Sequence, residues 1–259
     1  MKPVALKASA TRRVRSAQLE LPYRTWGGAR PGAGRKRLSD RSATPHRARP
    51  VHRPAEPVHV TLRAALSPLR SQFVFPTVRL AISRAARRAP ARFRIVEFSV
   101  QRDHVHLIVE AADKRSLSFG VRSVSIRVAR YVNDLLGRRG RFWADRFHAR
   151  PLRSPREVRH ALAYVLTNFR KHARGQLPAG IDPYSSGAWF EGWREWRPRA
   201  DARALFAARP PPGVAVEPFS VVAAVELRER PCLPPSRWLT ARGWRRYGLL
   251  TFTERPVER

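Results

Sequence analysis

Cysteine is nearly missing from this chain. Cys232 is the only one in 259 residues, which excludes an internal disulfide and fits a reducing interior. Acidic side chains are also scarce: 19 Asp and Glu face 52 Lys and Arg, for a net charge of +33. No apolar run approaches the length of a membrane span, and no N-terminal apolar region resembles a signal peptide. A cytoplasmic protein with no membrane partner is therefore expected. The basic excess goes far beyond what solubility needs and suits a polyanion, because each neutralised phosphate releases counterions. Much of it is Arg, beside 23 Pro, a bias that genomic base composition can also produce. Charge is thus only part of the case for a nucleic-acid partner.

The length suits one good core with extensions, or two small domains. Residues 1–55 are rich in Arg, Pro, Gly and Ser and hold few large apolar side chains. Such a composition cannot bury enough surface to offset chain entropy, which predicts a disordered basic arm. Within it, Gly27–Arg37 threads Arg30, Arg35, Lys36 and Arg37 through Gly and Pro. Arms of this kind can enter a minor groove, although a solvated tail with nonspecific phosphate attraction is commoner. The compact domain is expected over residues 56–175, and a Trp- and Pro-rich basic extension over 176–259. In the extension, Pro183–Trp196 crowds three tryptophans and a phenylalanine together. Docking on the domain suits them better than stacking on bases. Arg209–Gly213 reads as a stiff linker, and Ser236–Leu250 as a short basic helix and turn.

Along the compact domain the pattern alternates between strand and helix. Val58–Leu62 reads as a strand. A helix follows from about Pro76 to Arg88, with Val78, Ile82 and Ala85 inward and Arg79, Arg84, Arg87 and Arg88 outward. Arg94–Val100 is a second strand, with Val96, Phe98 and Val100 on one face, and a short turn leads into a third. A long helix over Ser116–Leu136 carries Leu117, Val121, Val124, Val128, Val132 and Leu135 at spacings of three and four, and Gly137 stops it. Arg122, Arg127 and Arg130 lie off that stripe, where they suit phosphates or simply solvent. Phe147–Leu152 reads as the last strand. The order strand, helix, strand, strand, helix, strand is that of a ferredoxin-like α+β antiparallel sheet.

The third strand is the centre of the chain. In Arg102–Ala111 polar and apolar residues nearly alternate, so His104 and His106 share one face and Val105, Leu107 and Val109 the other. Two imidazoles on a rigid element are half of a metal site; taken alone, such a pair is more often a polar strand edge. A second stretch, Ser154–Gly175, changes the balance. Ser154 is a good N-cap, Pro155 suits the first helical position, and Glu157 completes a capping box. Val158, Leu162, Val165 and Phe169 form the apolar stripe. One row spaced by four carries His160, Tyr164, Asn168 and His172, so Tyr164 and Asn168 can face a single point.

Those residues resemble the HUH single-strand endonucleases, closest to the single-tyrosine transposases and, within them, to the REP-associated tyrosine transposases. The matching motifs are His104-Val105-His106-Leu107-Ile108-Val109-Glu110, then Gly140–Trp143 with Ala144–Leu152 after it, then Tyr164-Val165 with Asn168. They span about Pro57 to Gly175. Many relatives have Pro after the Asn, where this chain has Phe169, and members often begin with a Gly-Ala-Gly-Arg-Lys segment like the one here. The resemblance implies Tyr164 as the nucleophile and His104, His106 and Asn168 as ligands of a divalent metal, Mg²⁺ or Mn²⁺. It also implies single-stranded or hairpin DNA as substrate, and a 5′-phosphotyrosine with a free 3′ hydroxyl as product. It leaves open a homodimer in which the tyrosine helix serves a partner subunit.

The chemistry agrees. A phenol conserves the broken phosphodiester as a new phosphoester, and a cation makes the phosphate more electrophilic. Imidazole and amide oxygen suit Mn²⁺, while Mg²⁺ is served by further oxygens from substrate phosphates. Tyr131 falls in the row of the buried stripe, and Tyr23, Tyr184 and Tyr247 lie outside the expected domain. His160 and His172 read as surface histidines, and Glu110 as a solvated strand end. Two other functions fit less of the sequence: a domesticated DNA-binding protein of the same fold, and an HUH replication or transfer initiator.

Overall fold

A computed structural model of the chain describes residues 52–66, 68–172, 180–195 and 229–255. Arg30, Arg35, Lys36, Arg37 and the triple-proline linker lie outside the described residues.

Strand β1 (Val58–Arg63) buries Val58, Val60 and Leu62 on one face and turns His59, Thr61 and Arg63 to the other. Helix α1 (Phe75–Ala86), β2 (Phe93–Val100), β3 (His104–Ala111), α2 (Lys114–Leu135) and β4 (His148–Pro151) follow in the expected order. The sheet runs β2-β3-β1-β4, and every neighbouring pair is antiparallel. Both helices lie on the face bearing Val60, Leu62, Ile95, Phe98, Leu107 and Val109, where Val78, Ile82, Val121, Val124 and Val128 complete the larger core. Asp113 caps α2 by accepting from Ser116 N, and Gly137 ends it at φ 60°, a backbone region open to glycine without a Cβ clash. Gly120 sits inside α2 for a different reason. A Cβ there would lie 2.1 Å from Phe93 Cγ, so the helix could not approach β2 so closely.

The second face is covered by α3 (Pro155–Thr167), which follows β4. Its Val158, Leu162, Val165 and Leu166 pack with Val96, Ile108 and Leu152 of the sheet side and with Phe190, Trp193, Trp244 and Leu250 of the C-terminal part. Trp193 and Trp244 therefore dock against the tyrosine helix, Trp189 lies under the Arg79 guanidinium instead, and Trp196 is outside the described residues. Trp244 stacks on Phe190 at 5.5 Å, and its Nε1 donates to Thr240 O. Arg159 of α3 holds the chain end through a two-pronged bond to Glu254. Arg70 holds the 180–195 segment through paired bonds of 2.8 and 2.7 Å to Asp182.

Four details depart from the sequence reading. Val96 does not share a face with Phe98 and Val100, because the register slips between Ile95 and Glu97. A β-bulge at that point puts Val96 beside Ile108 in the second core. Arg79 is not outward: it is 2 % exposed, its guanidinium over the Trp189 ring and donating to Glu229 O. The burial lowers its pKa to about 10. Helix α3 ends at Thr167, and a four-residue helix α4 (Phe169–His172) resumes beyond Asn168. Glu110 is buried rather than solvated, and accepts from Ser236 N, Arg237 N and the hydroxyls of Ser236 and Thr240. Its carboxylate thus anchors the residues that lead into α5 (Trp238–Ala241) of the docked extension.

Candidate active site

Registration of the four strands places one polar row across the second face. Ser99 of β2 lies opposite His106 of β3, His106 opposite Thr61 of β1, and Thr61 opposite His148 of β4. His104 and His106 do share that face, with ring centroids 4.6 Å apart. His104 Nδ1 lies 2.7 Å from Asp103 Oδ1. A ring nitrogen that donates to a carboxylate leaves the other, Nε2, with the lone pair. Partial burial pushes the Asp103 carboxyl up, but the hydrogen bond from His104 and the nearby Arg63 outweigh it and hold the carboxyl below its usual range.

His106 is 3 % exposed and fixed at both ring nitrogens. Nδ1 lies 3.2 Å from His59 Nε2 and 3.1 Å from Thr61 Oγ1. Burial, with a smaller contribution from His148, lowers the His59 pKa to about 4. His59 is therefore neutral near pH 7 and can accept the Nδ1 proton, which directs the His106 lone pair to Nε2. That nitrogen faces the Asn168 amide at 3.5 Å.

Asn168 supplies the test of a metal. It is 1 % exposed, and its Oδ1 is buried without a hydrogen-bond partner among the described residues. Amide O and N exchange places by a flip. With the amide turned, an acceptor oxygen would meet an acceptor nitrogen, and a cation is what reconciles the two. The donor set His104, His106 and Asn168 fits a divalent ion.

Helix α3 brings Tyr164 to the same place. The capping expected at Ser154 is present: its Oγ accepts from Glu157 N at 3.2 Å. Glu157 in return takes Arg153 N rather than the cap's own N–H. With Leu162 and Val165 held in the second core, the half-buried Tyr164 ring meets His106 edge-on at 5.1 Å and His59 at 5.8 Å. Tyr23 lies outside the described residues, and the other tyrosines among them are elsewhere. Tyr131 accepts from Arg84 on the helix-covered face, Tyr184 packs on Phe75 and Arg70, and Tyr247 is exposed. His160 lies one turn before Tyr164 with a buried, unpartnered Nδ1 among the described residues, and the His172 side chain is outside them. Arg122 and Arg130 are exposed and Arg127 half-buried, all on α2. That helix covers the sheet face opposite the histidines.

The sequence reading missed His59, Thr61 and Asp103. The signal was present in β1, where His59-Val60-Thr61 alternates as the histidine strand does. It becomes legible only when β1 is known to lie beside β3.

Fold and site together define a ferredoxin-like α+β domain with a histidine–tyrosine centre between the sheet and α3. Residues 76–168 match the family model described as Transposase IS200 like. A solved REP-associated tyrosine transposase bound to a REP hairpin is similar at 21 % identity, with a TM-score of 0.40 over 50 % of this chain and 75 % of that one. No curated protein sequence matches the chain.

Proposed function

We propose that this protein is a DNA transposase that cuts single-stranded or hairpin DNA through a covalent phosphotyrosine. The observation that carries the reading is the convergence of Tyr164 from α3 and Asn168 at its C-terminal cap on His106 of β3, whose ring lies beside that of His104. A protein that only binds DNA needs no such set. The match of residues 76–168 to the IS200-like transposase model and the charge of +33 support a DNA substrate.

Tyr164 Oη is the nucleophile. It attacks the scissile phosphorus and its proton passes to solvent, while the P–O3′ bond breaks and the leaving oxygen gains a proton. The products are a 5′-phosphotyrosine and a free 3′ hydroxyl. The reverse step, attack by a 3′ hydroxyl on the phosphotyrosine, rejoins the strand and restores the phenol. A divalent cation, Mg²⁺ or Mn²⁺, would be held by His104, His106 and Asn168 and would supply charge that makes the phosphate more electrophilic. Thr61 and His59 hold His106 in the tautomer that this role requires. Arg122, Arg127, Arg130 and the basic arm of residues 1–55, with Arg30, Arg35, Lys36 and Arg37, take backbone phosphates.

Incubation of labelled hairpin DNA with the protein and Mn²⁺ tests the reading. A protein–DNA adduct that survives denaturation is the expected result. Tight binding with no adduct under Mn²⁺ or Mg²⁺ would instead identify a domesticated binder.

A further inference from the structure

The sheet has a second charged side. Where α1 and α2 meet, on the face opposite the histidines, Arg84, Arg87, Arg88 and Arg127 line a cleft of about 510 Å³ with Glu229. Four guanidinium groups share that space with one carboxylate, which is engaged by Arg87 at 2.9 Å. Arg127 Nε is buried and has no hydrogen-bond partner among the described residues. Like charges gathered around a cavity repel one another, and an anion from outside relieves that repulsion.

The charge does not stop at the cleft. Arg115, Phe119, Arg122, Ile126 and Arg130 recur at helical spacings of three and four along the solvent side of α2, and all five are exposed. At 1.5 Å of rise per residue, the arginines of this row stand roughly 10–12 Å apart. Phe119 and Ile126, at 54 % and 46 % exposure, present apolar surface between them. A small anion would need the cleft alone. An extended row of separated cations with apolar groups between suits a sugar-phosphate backbone.

We infer that the α1–α2 side is a second DNA site, which holds the backbone of duplex DNA outside the strand being cut. The inference rests on the proposed DNA-processing role, and deepens it by assigning Arg127 and Arg130 to duplex rather than to the cleaved strand. Because this side faces away from Tyr164, duplex held here does not occupy the cleavage site.

The test uses the full chain carrying Tyr164→Phe, so that binding is measured without chemistry and independently of whether the protein cuts. Anisotropy is read with a 20-base-pair duplex and with a 12-nucleotide single strand. Combining Arg88→Gln, Arg127→Gln and Arg130→Gln should weaken duplex binding at least tenfold. It should also reduce the slope of log K against log salt by about 2–3, near 0.9 per lost phosphate contact. Single-strand affinity should stay within twofold. Glu229→Gln removes the competing carboxylate and should raise duplex affinity two- to fivefold, a gain that misfolding cannot imitate. Unchanged duplex affinity and slope in the triple variant, or equal losses for both probes, would overturn the second site.

Discussion

His59 and His106 meet nitrogen to nitrogen across neighbouring strands, His59 Nε2 3.2 Å from His106 Nδ1. One of two imidazoles in that contact must donate and the other accept. Burial keeps His59 neutral near pH 7, with a pKa of about 4, so its Nε2 can accept, and acceptance there puts the His106 proton on Nδ1. His59→Phe keeps a ring in the space and removes the acceptor. Cleavage should fall by about 10–100-fold, the usual cost of losing a partner of a metal ligand, with DNA affinity nearly unchanged. Nitrogen-15 shifts of His106 in the metal-free protein should move from one tautomer toward a mixture. Unaltered shifts would show that Thr61 suffices.

The ligand set yields a graded series. His104→Ala or His106→Ala should abolish cleavage and largely spare DNA binding, since phosphate contacts come mostly from arginines. Asn168→Ala should be milder, because water can replace one amide oxygen. Mn²⁺ affinity measured by titration calorimetry should follow the same order. An Asn168→Ala protein that binds Mn²⁺ as tightly as wild type would remove Asn168 from the set.

Much of this was legible from residue order. Hydrophobic alternation marked β1 and β3, the three-and-four spacing marked α2, and the row of Tyr164 and Asn168 marked the site side of α3. What escaped depends on contacts between distant segments. Arg79 looked outward because nothing in its own helix shows that residues from 189 and 229 cover it. Glu110 looked solvated because its four donors lie in residues 236–240. Val96 fell on the wrong face because one extra residue in a bulge reverses the alternation after it.

Glu97 gives a pH signature. Burial raises its pKa to about 7, against the opposing pull of the Ser186 hydroxyl and Arg230. A raised carboxyl favours the folded state in its protonated form. The stability is therefore fully present below pH 4.5 and is lost as pH rises through 7, a loss of about 3 kcal/mol. Glu97→Gln stays neutral and should lack that component of the decline in denaturation midpoint between pH 5 and 8. A parallel decline in both proteins would contradict the assignment.

The docked extension holds the tyrosine helix. Trp244 is 1 % exposed among Phe190 and residues of α3, and Trp244→Ala should cost about 3–5 kcal/mol. Chemical denaturation reads the loss. A change below about 1 kcal/mol would mean that the extension is not part of the folded core.

The most direct test of the central claim is peptide mapping of the covalent adduct, with tyrosine variants in parallel. Tyr164→Phe removes one oxygen and keeps the ring against His106, so fold stability and DNA affinity should remain while cut strand and adduct both disappear. Tyr131→Phe, on the opposite side of the sheet, should cut as wild type does. In the wild type the adduct should map to the peptide containing Tyr164, and the released fragment should end in a free 3′ hydroxyl. An adduct on any other residue, or a Tyr164→Phe protein that cuts at the wild-type rate, would contradict the account.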